Sequence, residues 1–197
     1  MNIDFAKGGG LVPAVVQDAQ TEQVLMLGYM SEAALEKTRE TGLVTFHSRS
    51  RDALWTKGET SGNTLELESV AVDCDGDTLL VRANPAGPTC HQGTVSCFGE
   101  SGPEGVGFIS KLEEIIASRD GGDVEASYTA RLLAKPIHKI AQKVGEEGVE
   151  VALAATSEGD EALAGEAADL LYHLLVLLRK RGLGLQDAVE VLRERHR

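Results

Sequence analysis

The sequence predicts two domains of different class: a mainly β first half (α+β, a small barrel-like sheet with one helix) and an all-α bundle behind it. Three observations predict this. Short apolar runs separated by turn residues fill the first hundred positions, whereas beyond about residue 107 the apolar period becomes helical. Between the two lies Glu100-Ser101-Gly102-Pro103-Glu104-Gly105-Val106-Gly107, in which four of eight residues are glycine or proline and no apolar periodicity survives. A chain of 197 residues has room for two small domains, placed here at 1–106 and 107–197.

Taken in order, Gly8-Gly9-Gly10 reads as a mobile lead-in, and strand-like runs follow at 11–17, 24–30, 43–48, 65–72 and 78–83. One helix interrupts them. Ser31 is a good N-cap, Glu32 falls in the first turn, Ala34, Leu35 and Thr38 form an inward face, and Gly42 ends it. In the second half, helical periodicity covers 106–118, 128–134, 137–156, 160–181 and 185–196. Gly121-Gly122, Gly159 and the run from Gly182 to Gly184 mark short connections of the kind used in helix bundles.

The composition, 42% hydrophobic and 25% charged, is that of a globular protein. A net charge of −12, from 19 basic and 31 acidic residues, opposes binding to nucleic acid and to anionic membranes, so a phosphate-bearing ligand needs a bridging cation. No apolar stretch approaches the roughly 20 residues of a bilayer span. The N-terminus lacks the apolar run of a signal peptide, which leads to a cytoplasmic expectation in which the three cysteines are free, metal-bound or catalytic.

Asp73-Cys74-Asp75-Gly76-Asp77 sets three carboxylates at i, i+2 and i+4. If the preceding strand continues, period-2 geometry puts all three on one face and Cys74 on the other. A hard cation such as Mg2+ would relieve their repulsion; a solvated acidic turn has the same pattern. Cys90 and Cys97, with His91 adjacent, follow a loop rich in proline and glycine. Three thiols fit an open, catalytic zinc site better than a closed structural one, and equally fit three inert buried thiols. The segment from Trp55 to Asn63 (Trp-Thr-Lys-Gly-Glu-Thr-Ser-Gly-Asn) reads as a turn where backbone N–H groups and Lys57 can meet a phosphate.

In the second half, Glu146, Glu147 and Glu150 can share one helix face. Glu166 and Asp169 stand at i, i+3 on the next helix among small and apolar residues, with His173 one turn further on. Carboxylates in such surroundings point to a cation shared by both helices. Tyr172 fits the helix interface. Arg131, Lys139 and Lys143, at helical spacing ahead of the acids, neutralise phosphate or form a solvated face.

The stretches VLMLGYM (24–30), LWTKGETSGN (54–63), DCDGD (73–77) and NPAGPTCHQG (84–93), with Cys97, closely resemble phosphoribosyl-AMP cyclohydrolase of histidine biosynthesis. That resemblance implies hydrolysis of the adenine N1–C6 bond, zinc at Cys74, Cys90 and Cys97, Mg2+ at Asp73, Asp75 and Asp77, a catalytic part for His91, and a homodimer whose zinc cysteines come from two subunits. Within the matching LWTKGETSGN stretch, Trp55, Lys57, Gly58, Thr60 and Ser61 are the expected substrate contacts. From about Phe108 onward, KVGEEGVE (143–150), SYTAR (127–131) and EExxE followed by ExxD resemble phosphoribosyl-ATP pyrophosphatase, an all-α nucleoside triphosphate pyrophosphatase. This implies Mg2+ at Glu146, Glu147, Glu150, Glu166 and Asp169; Glu150 is the expected catalytic residue, and Arg131, Lys139 and Lys143 are the expected substrate contacts. The two resemblances run in the order of the fused bifunctional enzyme of enteric bacteria. Two rivals remain at this level: a zinc-stabilised structural or redox module fused to a helical dimerisation bundle, and a pyrophosphatase acting on damaged triphosphates.

Overall fold

A computed structural model describes residues 3–99 and 102–196. The chain forms two compact units that divide between Phe108 and Ile109. Of the glycine-rich linker expected at 100–107, Glu100 and Ser101 lie outside the described residues.

The first unit is strand-rich with one helix, as its sequence predicts. Strand β1 (Val12–Asp18) pairs antiparallel with β2 (Val24–Met30) and parallel with β6 (Leu79–Pro85), and β6 pairs antiparallel with β5 (Leu65–Val72), giving the order β2-β1-β6-β5. Period-2 alternation decides the inner face: Val12, Ala14 and Val16 of β1 and Leu79, Val81 and Ala83 of β6 are fully buried. Helix α1 (Glu32–Thr41) starts where the Ser31 side chain accepts the Ala34 N–H and stops at Gly42, φ 72°.

A two-stranded ribbon, β3 (Thr45–Ser48) and β4 (Ala53–Thr56), completes the unit. Its approach segment adds to the β5 edge through the Leu43–Glu66 bridge and the Val44 N–H to Leu65 C=O bond. Its other side packs on β2, where the Phe46 ring lies over Gly28, so the strands wrap around a core that includes Leu25, Met30, Leu35, Phe46 and Leu65. The Thr38 hydroxyl, buried under α1, accepts the Thr45 N–H at 2.9 Å and fixes the ribbon to the helix.

Two expectations need correction. Trp55 and Thr56 belong to strand β4 rather than to a turn; four residues with no buried alternation give period analysis nothing to detect. Strand β5 ends at Val72 instead of continuing through the aspartates.

The second unit is helical: α2 (Gly107–Ser118), α3 (Tyr128–Leu133), α4 (Ile137–Ser157), α5 (Asp160–Lys180) and α6 (Leu185–Arg195). Helices α4 and α5 form a hairpin closed by Glu158 and Gly159, and α5 has Asp160 and Glu161 in its first turn and Arg179 and Lys180 in its last, matching the helix dipole at both ends. Ile116, Leu132, Leu133, Ile140, Leu175 and Val176 make the core. No helix among the described residues is long and apolar enough to cross a membrane.

Candidate active sites in the two units

The link from β5 to β6 is a turn, and it gathers the aspartates. Carboxylate oxygens of Asp73, Asp75 and Asp77 lie within 4.8 Å of one another. The grouping arises because Asp73 Oδ1 accepts the backbone N–H groups of Asp77 (3.0 Å) and Thr78 (3.1 Å), while Gly76 adopts φ 79°. These local bonds, not strand periodicity, place the three acids together. The Lys7 ammonium lies 2.6 Å from both Asp75 and Asp77 and holds both carboxyls below the usual aspartate range. The lead-in is therefore structured: Asp4 N–H donates to Gly76 C=O at 2.7 Å, and Gly10 N–H to Phe5 C=O at 2.7 Å. Nothing in the sequence ties Lys7 to residues about seventy positions away. An all-oxygen donor set already facing a cationic side chain fits a hard cation.

The thiol loop hangs from β2. Cys97 N–H donates to Leu25 C=O at 2.8 Å, the Ser96 hydroxyl donates to Val24 C=O at 2.8 Å, and Cys90 N–H donates to Thr94 C=O at 3.0 Å. Cys90 and Cys97 interact directly. The Gln92 backbone and the Thr94 hydroxyl hold the Cys90 thiol below its ordinary value, while burial, then Cys90 itself, pushes Cys97 up. His91 is exposed, its Nδ1 3.9 Å from Cys90 Sγ. Cys74, exposed on the aspartate turn, joins no cluster with the other two among the described residues, so one chain brings together two of the three expected zinc ligands.

Lys57 follows β4. Its backbone N–H donates to Val44 C=O at 2.9 Å, its side chain is buried, and its charge opposes the upward shift of Cys97. The next residue must be glycine: at Gly58, φ 82°, an added Cβ would lie 2.4 Å from the Asn63 backbone. Thr60 and Ser61 stand exposed on this turn, and Trp55 packs on Phe46 with ring centroids 5.5 Å apart.

In the second unit, Glu147 and Glu150 of α4 meet Glu166 of α5, with carboxylate oxygens within 4.8 Å. Glu147 is buried; Glu150 is exposed, and its carboxyl is raised above the usual range by the Glu147 carboxylate beside it. Burial pushes Glu147 up, but Lys143 at 3.1 Å and then Glu150 outweigh it and leave Glu147 below its ordinary value. The other two expected acids are not in this cluster. Glu146, about 100° around the helix from Glu147, instead pairs with Lys143 at 3.0 Å and accepts from Gln142 at 2.8 Å. Asp169 is exposed, so the apolar sequence around it does not bury it. Lys139 donates to Gln142 at 3.2 Å, and Arg131 is exposed on α3. Tyr172 serves the core, bonded to the Thr129 hydroxyl at 2.8 Å. His173 is buried, its Nε2 3.5 Å from Glu147 Oε1.

Both halves match known families within the span of these groups. A family model described as phosphoribosyl-AMP cyclohydrolase matches residues 26–99, and one described as phosphoribosyl-ATP pyrophosphohydrolase matches residues 109–196. The chain is 57% identical over 199 residues to the histidine biosynthesis bifunctional protein HisIE of Photobacterium profundum, covering 98% of this chain and 96% of that one. It is 57% identical over 194 residues to HisIE of Escherichia coli (98% and 95%) and 56% identical over 197 residues to HisIE of Vibrio cholerae (99% and 94%). The chain belongs to the HisIE family.

As a HisIE protein it is a bifunctional hydrolase of histidine biosynthesis. The aspartate turn, the thiol loop and Lys57 lie in the part that matches the cyclohydrolase, and the Glu147, Glu150 and Glu166 cluster lies in the part that matches the pyrophosphohydrolase.

Proposed function

We propose that the two units carry out consecutive hydrolyses at separate sites, with residues 1–106 as the cyclohydrolase domain and 107–197 as the pyrophosphohydrolase domain. The C-terminal unit adds water to phosphoribosyl-ATP and releases pyrophosphate and phosphoribosyl-AMP. The N-terminal unit then adds water across N1–C6 of the adenine ring and opens it. The observation that carries this reading is the division of donor chemistry: thiols and aspartates in one unit, a purely carboxylate cluster in the other.

In the C-terminal unit Glu147, Glu150 and Glu166 would hold Mg2+. Glu146 and Asp169, the remaining acids of the EExxE and ExxD motifs, would serve as further ligands of the ion. Glu150, the exposed member of the cluster, takes the proton of the attacking water. Arg131, Lys139 and Lys143 neutralise the polyphosphate.

In the N-terminal unit Asp73, Asp75 and Asp77 would hold Mg2+, and Cys90 and Cys97 would hold zinc together with Cys74 of a second protomer. A shared site of this kind makes the active cyclohydrolase a homodimer, and it accounts for Cys74 lying apart from the other thiols within one chain. When bound, zinc lowers the pKa of water towards neutrality and Mg2+ offsets phosphate charge. His91, beside Cys90, moves the proton between water and the ring nitrogen. Gly58, Thr60 and Ser61 bind the ribose phosphate through backbone and hydroxyl groups, Lys57 adds its charge, and Trp55 forms the wall behind them. The three free thiols accord with a cytoplasmic setting.

A coupled assay tests the proposal. Pyrophosphate release and ring opening, followed together, should both stop in chain stripped of divalent ions by a chelator. Mg2+ alone should restore the first step, and zinc with Mg2+ the second. Either step running at full rate in the stripped chain contradicts the metal assignment for that step.

A further inference from the structure

His173 occupies a place where an apolar residue would pack without cost. It lies on α5 two turns beyond Glu166, with its side chain 6% exposed. Tyr172 and Tyr128 meet its ring edge-on, at centroid distances of 5.2 and 6.4 Å and interplanar angles of 72° and 79°. Tyr172 is itself anchored by its 2.8 Å bond to Thr129. The imidazole is therefore fixed in orientation, yet its Nδ1 is buried with no hydrogen-bond partner. Burying such an atom without compensation destabilises the fold, which a leucine or phenylalanine in the same cage would not do.

What the ring faces supplies the reason for a histidine. Its Nε2 lies 3.5 Å from Oε1 of Glu147, a few tenths of an ångström beyond a formed hydrogen bond. Lys143 reaches the same oxygen at 3.1 Å, so both groups converge on Oε1. A proton on Nδ1 would be a buried donor with nothing to donate to, so the tautomer with its proton on Nε2, facing the carboxylate, is the one that fits.

We infer that His173 is a positioning residue of the pyrophosphohydrolase site: it donates from Nε2 to Glu147 and fixes the orientation in which Glu147 joins Glu150 and Glu166 to grip a divalent cation. This rests on the carboxylate site proposed above. Partners of this outer kind orient ligating groups, and their loss typically weakens metal binding by about 10- to 100-fold.

The test is Mn2+ binding to the full-length chain, read from the free-ion electron paramagnetic resonance signal. The chain carries Asp73→Asn, Asp75→Asn and Asp77→Asn so that the aspartate turn does not contribute. His173→Leu should raise the Mn2+ Kd about 10-fold or more, while circular dichroism stays that of the parent chain. His173→Gln, whose amide nitrogen stands where Nε2 stood, should recover most of that affinity, and His173→Asn, with its amide at the δ position, should not. The Asn and Gln pair also serves if the Leu variant fails to fold. Parent-like Mn2+ binding in His173→Leu or His173→Asn, or equal weakening by Gln and Asn, overturns the inference. Glu150→Gln on the same background separates the two levels: unchanged Mn2+ binding there removes the carboxylate site itself, whereas weakened binding beside a neutral His173→Leu removes only the role of His173.

Discussion

The Nζ atom of Lys7 lies 2.6 Å from Oδ2 of Asp75, so a cation from the chain's own N-terminal turn rests on the aspartates proposed to hold Mg2+. Lys7 and a divalent ion compete for the same oxygens. Lys7→Met is expected to tighten Mg2+ binding at this turn, measured by calorimetry in a chain that carries Glu150→Gln. Because the pair is solvent-exposed the gain should be modest, no more than about fivefold, and should shrink as salt rises. Weaker binding in Lys7→Met would mean that Lys7 holds the turn in its binding shape instead.

The closing contact of the first unit is steric. A Cβ at Gly28 would lie 2.4 Å from Cδ1 of Phe46, a ring that is fully buried against α1, β2 and the rest of the core. Gly28→Ala should destabilise the cyclohydrolase unit by about 1–3 kcal/mol. Brief heating should then abolish ring opening at a temperature where pyrophosphate release persists.

Burial raises the Tyr172 phenol above its ordinary pKa, with the bond to Thr129 opposing. An acid whose folded pKa is raised keeps its proton in the native state after the unfolded chain has lost it, so stability falls as pH rises past about 10. Tyr172→Phe should cost about 1 kcal/mol at pH 7 through the lost hydrogen bond. The difference between the two proteins should narrow in chemical denaturation series taken above pH 10. A gap that widens there would reverse the sign of the argument.

If zinc is shared between protomers, two dead variants should rescue each other. Cys74→Ser and Cys90→Ser should each lack ring opening alone. After mixing and subunit exchange, about a quarter of the parent activity should return, because half of the dimers are mixed and each mixed dimer regains one of its two sites. No recovery after demonstrated exchange would place all three ligands in one chain.

What the sequence made legible follows from the range of the forces involved. Ser31 and Gly42 bound α1 because capping and left-handed backbone act within one turn, and the switch of apolar period at the linker separates a sheet from a bundle. Strand β4 is not legible because its four residues run exposed, exposed, half-buried, half-buried, with no period-2 alternation. The aspartates were found but their backbone was not, since an Asp73 side chain capping two N–H groups wins over continued strand pairing. Among the glutamates, spacing put Glu146, Glu147 and Glu150 on one broad face, and only the packing of α4 on α5 turns Glu147 inward and leaves Glu146 to Lys143. Lys7 was beyond reach, because its partners are set by tertiary structure alone.

The central claim is that two hydrolyses reside in two chemically distinct sites of one chain. The most direct measurement gives Cys90→Ser and Glu150→Gln each of the two substrates separately and follows product formation. Cys90→Ser should lose one zinc per dimer site and ring opening while releasing pyrophosphate at the parent rate, and Glu150→Gln should do the reverse. A single substitution that abolishes both reactions in a folded chain, or one that leaves its own reaction at the parent rate, would contradict the account.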